Sequence, residues 1–419
     1  MKILWLSQLV PYPPKGGVLQ RAYHLIHELA KYHTVDLIAF NQKDLMSPFF
    51  DSQQEALAVS AKELGKYCRN IEFVPIDCDR TRYGKHLLAL KSLLTKDPYT
   101  INWLKSQAFS EKLKTLLNTN NYDLIHFDTI SLIPFMKYID DTPMVLDHHN
   151  IESHMLMRRA DNEKNSFMRW YFKQEGRRVE AVEKQICPQF SLNITCSEID
   201  RDRLIELAAG SHVEEVSNGV DIDYFHPDKS STQQLSLIFA GTLSWYPNIE
   251  AVRFIAYEIW PRIKLEIPNM CIDIVGANPP EDIRRLAEKE KGFNVHGFVN
   301  DVRPYIDQAA IYICPINDGG GTKLKILDAL AMHKAIIAHP IACEGIAVEE
   351  GVNVQFATSA DEYIAQIKRL MADENERKRL GDNARRLIED KYAYSIIGKN
   401  LSTMYETCVS KPVNASVDV

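Results

Sequence analysis

Three consecutive glycines, Gly319-Gly320-Gly321, followed by Thr322, Lys323 and Lys325, are the residues in this chain best suited to chemistry. A buried-strand pattern over 310–316 runs into them, and a helical pattern with apolar Leu324, Leu327, Leu330 and Ala331 runs out. Glycines let backbone N–H groups approach an anion, and the first turn of a helix adds unpaired donors and partial positive charge. Thr322 is the expected N-cap. Lys323 and Lys325 stand where a cation opposes the helix dipole by roughly 0.3–1 kcal/mol each, unless an anion reverses the sign. An ordinary Gly-rich loop gives the same pattern, so the stretch alone points to an anion and to no particular ligand.

A second cluster, Asp147-His148-His149-Asn150-Ile151-Glu152, closes the strand pattern of 143–147. Ligands bind at the carboxyl ends of strands in open α/β sheets, which makes this a candidate site. Two histidines among carboxylates raise zinc. Neighbours at i and i+1 point to different sides, however, and no third spaced ligand follows, so no metal is expected. One of the two histidines is assigned to function and the other to structure. A further glycine pair, Gly16-Gly17, joins the first strand pattern to a helix over 18–32. It fits neither G-x-G-x-x-G nor G-x-x-x-x-G-K-[ST], which argues against a dinucleotide dehydrogenase and a P-loop NTPase.

These residues need a frame, and 419 residues are too many for one ordinary core. With 45% hydrophobic and 25% charged residues the composition is that of a globular protein. No run reaches the roughly 18 apolar residues of a membrane span, and the opening 1–6 reads as a strand and not a signal peptide. The eight cysteines form no C-x-x-C pair, which suits reduced thiols in the cytoplasm. A net charge of −7 gives no general attraction to nucleic acid. Strand patterns at 3–10, 35–40, 70–76, 123–127, 143–147 and 191–195 alternate with helical segments, the signature of a parallel sheet. Periodicity is lost across 224–232, which reads as a linker. A second α/β unit then starts at 236–241, with strands near 271–276, 294–296, 310–315 and 335–338. Two doubly wound domains follow, with the cleft between them as the default site.

Two segments stand apart from this alternation. Residues 79–96 set Arg80, Arg82, Lys85, Lys91 and Lys96 among leucines against Asp79 alone, a pattern suited to anionic lipid. The preferred reading is an ordinary surface helix with its leucines on the core. Residues 154–186 read as one long helical stretch, with Phe167, Trp170 and Tyr171 at packing spacing.

In order and spacing, these motifs, with Asn218-Gly219-Val220-Asp221 and Gly297-Phe298-Val299-Asn300-Asp301-Val302, resemble the retaining GT-B glycosyltransferases of glycosyltransferase family 4, the glycosyl transferases group 1. The resemblance covers nearly the whole chain. It implies a GT-B fold of two Rossmann-like domains: 1–228 on the acceptor side, 229–392 holding a nucleotide-diphosphate sugar, a helix over 393–410 crossing back, and a tail at 411–419. It implies donor contacts from Gly16 and Gly17 over the phosphates, Gly241 and Thr242, backbone of Phe298 and Val299 to the base, and the 319–325 stretch. His149 matches the family histidine near the transferred sugar. No enzyme nucleophile and no metal cofactor are implied; the leaving phosphate takes the acceptor proton on the same face of the sugar.

The chain departs from the family in three places. The family's two glutamates, with seven residues between them, are here Gly320 and Asp328; Asp328 can still accept from ribose hydroxyls, while Gly320 offers no side chain. The family's arginine and lysine on the diphosphate are here Thr242 and Pro247. Lys323 and Lys325 are the nearest replacements, and both are expected to act as diphosphate ligands. The implied activity is sugar transfer to a carbohydrate or lipid-linked acceptor in surface polysaccharide or glycolipid assembly, in the cytoplasm or at the inner face of the cell membrane. A nonhydrolysing nucleotide-sugar epimerase and an inactive nucleotide-sugar-binding protein are the competing readings.

Overall fold

The computed structural model describes residues 1–15, 17–42, 46, 49–228, 235–319 and 321–410, so Gly16 and Gly320 lie outside the described residues. The chain forms two compact units, Met1–Ser217 with the chain from Ile397 onward, and Asn218–Ile396. Strands β1 (Lys2–Ser7), β2 (Thr34–Asn41), β3 (Cys68–Pro75), β4 (Leu124–Phe127), β5 (Met144–His148), β6 (Leu192–Thr195) and β7 (Val213–Glu215) belong to the first. Among the described residues they pair in parallel as a seven-stranded sheet in the order β3-β2-β1-β4-β5-β6-β7. The second unit holds β8 (Ser236–Ala240), β9 (Cys271–Val275), β10 (Phe293–Gly297), β11 (Ile311–Cys314), β12 (Ala335–Ala338) and β13 (Gln355–Phe356). These form a six-stranded parallel sheet in the order β10-β9-β8-β11-β12-β13.

Every residue of β4, β6, β11 and β12 is buried, with no alternation, because helices cover both faces of each sheet. Among the helices are α1 (Gly17–Leu29), α2 (Gly84–Ser92), α3 (Glu152–Asn162), α4 (Ser166–Ile186), α5 (Leu324–Ala331) and α6 (Tyr394–Ser410). The winding reverses between β1 and β4 in one sheet and between β8 and β11 in the other. Connections leave such a pair of strands in opposite directions, so a crevice opens at their carboxyl ends.

Several expectations change on contact with the fold. The proposed linker is not free chain up to residue 228. Val220 bridges Ala393, Phe225 is buried in the second core, and Arg385 donates to the carbonyls of Phe225 and Ile222, so these residues belong to the second unit. The stretch 154–186 is broken at Asn165, whose side chain accepts from the N–H groups of Phe167 and Met168 and starts α4 afresh. Phe167 and Trp170 do not pack inward; α4 buries Phe172, Gly176 and Val179, with Gly176 pressed against Met157 of α3, and leaves those two rings exposed. On α2 the leucines at 87 and 90 point to solvent, against the expectation of a core-facing side.

From Ile397 onward α6 packs into the first unit: Ser402 meets His33 at 2.7 Å, and the Tyr405 hydroxyl meets His126 Nδ1 at 2.6 Å. Gly398 lies so close to α1 that a Cβ added there would stand 2.2 Å from Glu28 Cβ. Gly398→Ala is therefore expected to lower the stability of the first unit by about 1–3 kcal/mol, the usual cost of overpacking. An unchanged urea midpoint would show that α6 does not dock this way.

Candidate active site

In the second unit β8 and β11 deliver their following loops to one crevice. The loop after β11 turns at Gly319 and Gly321, with φ of 96° and 71°, conformations open to glycine and costly for other residues. A side chain at Gly319 would also crowd Pro247, 3.3 Å from its Cγ. Asp318 stitches the turn by accepting from the Gly319 N–H at 2.6 Å and the Tyr246 hydroxyl at 2.9 Å.

The N-cap is not Thr322 but Lys323, whose backbone is extended at φ −83° and ψ 93°. The Lys323 ammonium folds back and donates to the carbonyls of Gly319 at 2.6 Å and Gly321 at 2.9 Å, latching its own loop. Released from capping, the Thr322 hydroxyl is buried with no hydrogen-bond partner among the described residues. The first N–H groups of α5 have no intrahelical acceptor, as at any helix start.

Lys325 takes the opposite direction. Its ammonium donates to Asn248 Oδ1 and lies 5.2 Å from the centre of the Phe239 ring. Asn248 in turn donates to the Thr242 carbonyl at 2.7 Å. Room for the ammonium exists because residue 241 is glycine: a Cβ there would stand 2.4 Å from Nζ. Burial lowers the Lys325 pKa to about 8, below the usual lysine range. One turn along, burial raises the Asp328 pKa to about 8, with Lys325 pulling the other way. No hydrogen bond reaches the Asp328 carboxylate among the described residues. A buried hydroxyl without a partner, a buried ammonium, open helix N–H groups and a carboxylate with acceptor capacity to spare are thus gathered on one edge. That set can hold an anion through the first three and polyol hydroxyls through the last.

Phe298 and Val299 follow β10, two strands along the same edge. The chain turns at Gly297, φ 66°, leaving the Phe298 ring exposed and Val299 against the core. Asp301 pins this turn by accepting from the Arg303 N–H at 3.0 Å and its Nε at 2.9 Å.

In the first unit β1 and β4 flank the corresponding crevice. Asp128, directly after β4, accepts from Ser7 Oγ at 2.9 Å and meets His149 Nε2 at 3.1 Å. Burial lowers the His149 pKa, but the hydrogen bond and charge of Asp128, with the charge of Asp147, outweigh it and leave the pKa raised. Asp147 is wholly buried and takes Arg21 by both oxygens, Nε at 2.8 Å and Nη2 at 3.0 Å. Arg21 Nη1 also donates to the Val216 carbonyl at 2.7 Å. His126 lies face to face with Trp5, ring centres 3.5 Å apart, and its buried Nε2 has no hydrogen-bond partner among the described residues. His148 points the other way into the core, 3.1 Å from Asn193 Oδ1. Glu152 opens α3, and burial raises its pKa to about 7. Ligand atoms of His126, Asp128 and Asp147 lie within 4.8 Å of one another, the reach of one metal ion. The oxygens of both aspartates are already engaged, however, by Arg21, Ser7 and His149.

The structure thus brings together Gly241, Thr242, Gly319, Gly321, Thr322, Lys325 and Asp328, and separates Lys323 from Lys325. His149 and Gly17 stand in the first unit, Gly17 as the opening residue of α1. Sequence reasoning missed Asp128, Arg21 and Asn248. Asp128 was open to the rule that found His149, a polar residue just after a strand. Arg21 and Asn248 sit inside amphipathic helices and carry no local signal.

Residues 15–224 match the family described as Glycosyltransferase Family 4, and residues 234–373 the family described as Glycosyl transferases group 1. A Klebsiella pneumoniae protein described as "Uncharacterized 44.6 kDa protein in cps region" is 22% identical over 411 residues, 93% of this chain and 96% of its own. The fold is similar to sucrose-phosphate synthase from Thermosynechococcus elongatus, with a TM-score of 0.69 and 14% identity over 97% of this chain and 99% of that one. It is also similar to Anabaena HepE, solved in complex with UDP, with a TM-score of 0.64 and 16% identity over 97% and 100% of the two chains. The two parallel sheets and these likenesses identify the architecture as GT-B.

If Lys325 faces an anion, Lys325→Met should weaken binding of inorganic pyrophosphate about ten- to a hundredfold, the value of a charge-assisted hydrogen bond. In the unsubstituted chain affinity should fall as the pH rises through about 8, because the ammonium loses its proton there. Calorimetric titration showing the same pH slope in Lys325→Met would assign that dependence elsewhere.

Proposed function

We propose, for a chain that belongs to the glycosyltransferases and whose first half belongs to the family described as Glycosyltransferase Family 4, that it transfers a sugar from a nucleotide-diphosphate donor to an acceptor hydroxyl with retention of configuration. The observation that carries this reading is the crevice between β8 and β11, where Lys325, Thr322 and the start of α5 converge beside Asp328. The diphosphate sits on the helix N–H groups, the Thr322 hydroxyl and the Lys325 ammonium. Asp328 accepts from the ribose hydroxyls, and the Phe298–Val299 turn meets the base. Lys325 thereby takes the place of the cations that the family puts at Thr242 and Pro247. Lys323 serves the same site indirectly, by holding the 319–321 turn closed.

Most of the work in such a transfer is electrostatic. Negative charge grows on the diphosphate as the glycosidic bond breaks, and preorganised donors in a poorly solvated site stabilise it strongly. A leaving-phosphate oxygen then takes the acceptor proton on the face from which it departed, which gives retention without an enzyme nucleophile. His149, its Nε2 held by Asp128, offers Nδ1 to the sugar and fixes its orientation. No metal is given a role. Structural neighbours solved with UDP and UDP-glucose support a nucleotide-sugar donor. The relative described from a cps region supports an acceptor in surface polysaccharide or glycolipid assembly, a carbohydrate or lipid-linked chain.

The test is a panel of UDP-, GDP-, ADP- and dTDP-sugars followed by nucleoside diphosphate release. One donor class should release nucleotide slowly even to water. His149→Ala should slow it about a hundredfold and Asp128→Asn about tenfold, with nucleotide affinity preserved, as expected when orientation is lost. Failure of every donor to bind or turn over removes the proposal, and an altered sugar without acceptor would indicate an epimerase.

A further inference from the structure

The first unit carries an exposed apolar and basic face that the transfer reaction does not use. Along α2 and its flanks, Tyr83, Leu87, Leu90 and Leu94 are 61%, 63%, 60% and 90% exposed. Leu87 and Leu90, three residues apart, share one side of α2, with Tyr83 just before the helix and Leu94 in the turn just after it. Cations border it: Lys91 and Lys96 carry no ion pair among the described residues, and Arg82 lies against the Tyr83 ring. On α4 the exposed rings of Phe167 and Trp170 sit among Lys164, Arg169 and Lys173, with no acidic residue from 164 to 173.

The two segments are fastened to each other. Arg178 of α4 donates to the carbonyls of Ser92, Lys96 and Asp97 at 3.0, 3.1 and 2.8 Å, and to that of Thr95. Glu175, three residues earlier, accepts from the Tyr99 N–H at 2.7 Å. The loop that carries Leu94 and Lys96 is therefore tied, at Glu175 and Arg178, to the same helix that carries Phe167 and Trp170 about two to three turns earlier.

From this face we infer that the first unit docks on an anionic lipid bilayer. Leucines with a tryptophan and a phenylalanine, rimmed by lysine and arginine, match the two layers of a bilayer surface: acyl boundary and charged headgroups. The chain as a whole is at −7, so an anionic surface repels it everywhere except at such a locally basic face, and the charge orients as well as attracts. A second copy is the poorer partner, because pairing the same face with itself would set basic rim against basic rim. No helix among the described residues is long and apolar enough to cross a membrane, so this contact is peripheral. The inference is independent of the donor reading and stands whether or not the chain transfers a sugar.

The test is co-sedimentation of the full chain with phosphatidylcholine vesicles and with equimolar phosphatidylcholine and phosphatidylglycerol vesicles. Binding should require the anionic lipid and weaken with salt. Each lysine near the surface contributes roughly fivefold in partition, so Lys91→Glu with Lys96→Glu should reduce it at least twentyfold. Leu87→Gln, Leu90→Gln and Leu94→Gln together should abolish binding even at low salt, with thermal unfolding unchanged because all three are exposed. The inference falls if the unsubstituted chain ignores anionic vesicles, or if both variants bind as it does. It also falls if the leucine variant instead dissociates a dimer seen by sedimentation, which would give the face to a second copy.

Discussion

Arg21 and Asp147 form an ion pair with both side chains fully buried, and the first unit is arranged around it. Removing two charges from water costs several kcal/mol per ion, offset only by close geometry and satisfied hydrogen bonds. Both conditions hold: the guanidinium meets both carboxylate oxygens, and its remaining group reaches the Val216 and Ser217 carbonyls at the end of the unit's sheet. α1 is thereby fixed to β5 and to the chain beyond β7. With Asp147 locked, the alternating directions of successive strand residues send His148 to Asn193 in the core and His149 to Asp128 at the crevice.

The second unit solves its charge problem differently. Its one deeply packed ammonium at the crevice, Lys325, has an amide and an aromatic ring for neighbours and no carboxylate within hydrogen-bonding distance among the described residues. Burial pulls its pKa down and pushes that of Asp328 up, both to about 8, so near neutral pH neither charge is as firmly held as it would be in water. Such a site has solvation to regain when an anion arrives. The lysine of the loop, Lys323, is spent on backbone carbonyls, so the two cations close together in sequence do unlike work.

Much of the fold was legible in the chain. Strand patterns at roughly even spacing, separated by helical ones, determined two parallel sheets, and the glycine turns marked where their carboxyl edges would lie. Local pattern failed where long-range contacts override it. Thr322 has the right chemistry for an N-cap, yet the Lys323 side chain closes the turn first and moves the helix start by one residue. Phe167 and Trp170 have core spacing, yet small Gly176 seats α4 closely on Met157 and leaves those two rings outward, and Leu87 and Leu90 of α2 are likewise exposed. Periodicity shows that a stripe exists; it does not say which side of the helix the sheet will take.

The sequence by itself determined the class of the fold, the position of the glycine-rich anion site and the histidine worth attention, because these follow from residue types at fixed short spacing. Only the tertiary structure decided which residues complete them. Asp128 and His149 are 21 residues apart, Arg21 and Asp147 126, and Asn248 and Lys325 77. Pairs at such separations meet because parallel strands bring successive carboxyl ends to one edge, and the order in which strands join the sheet is a property of the whole chain.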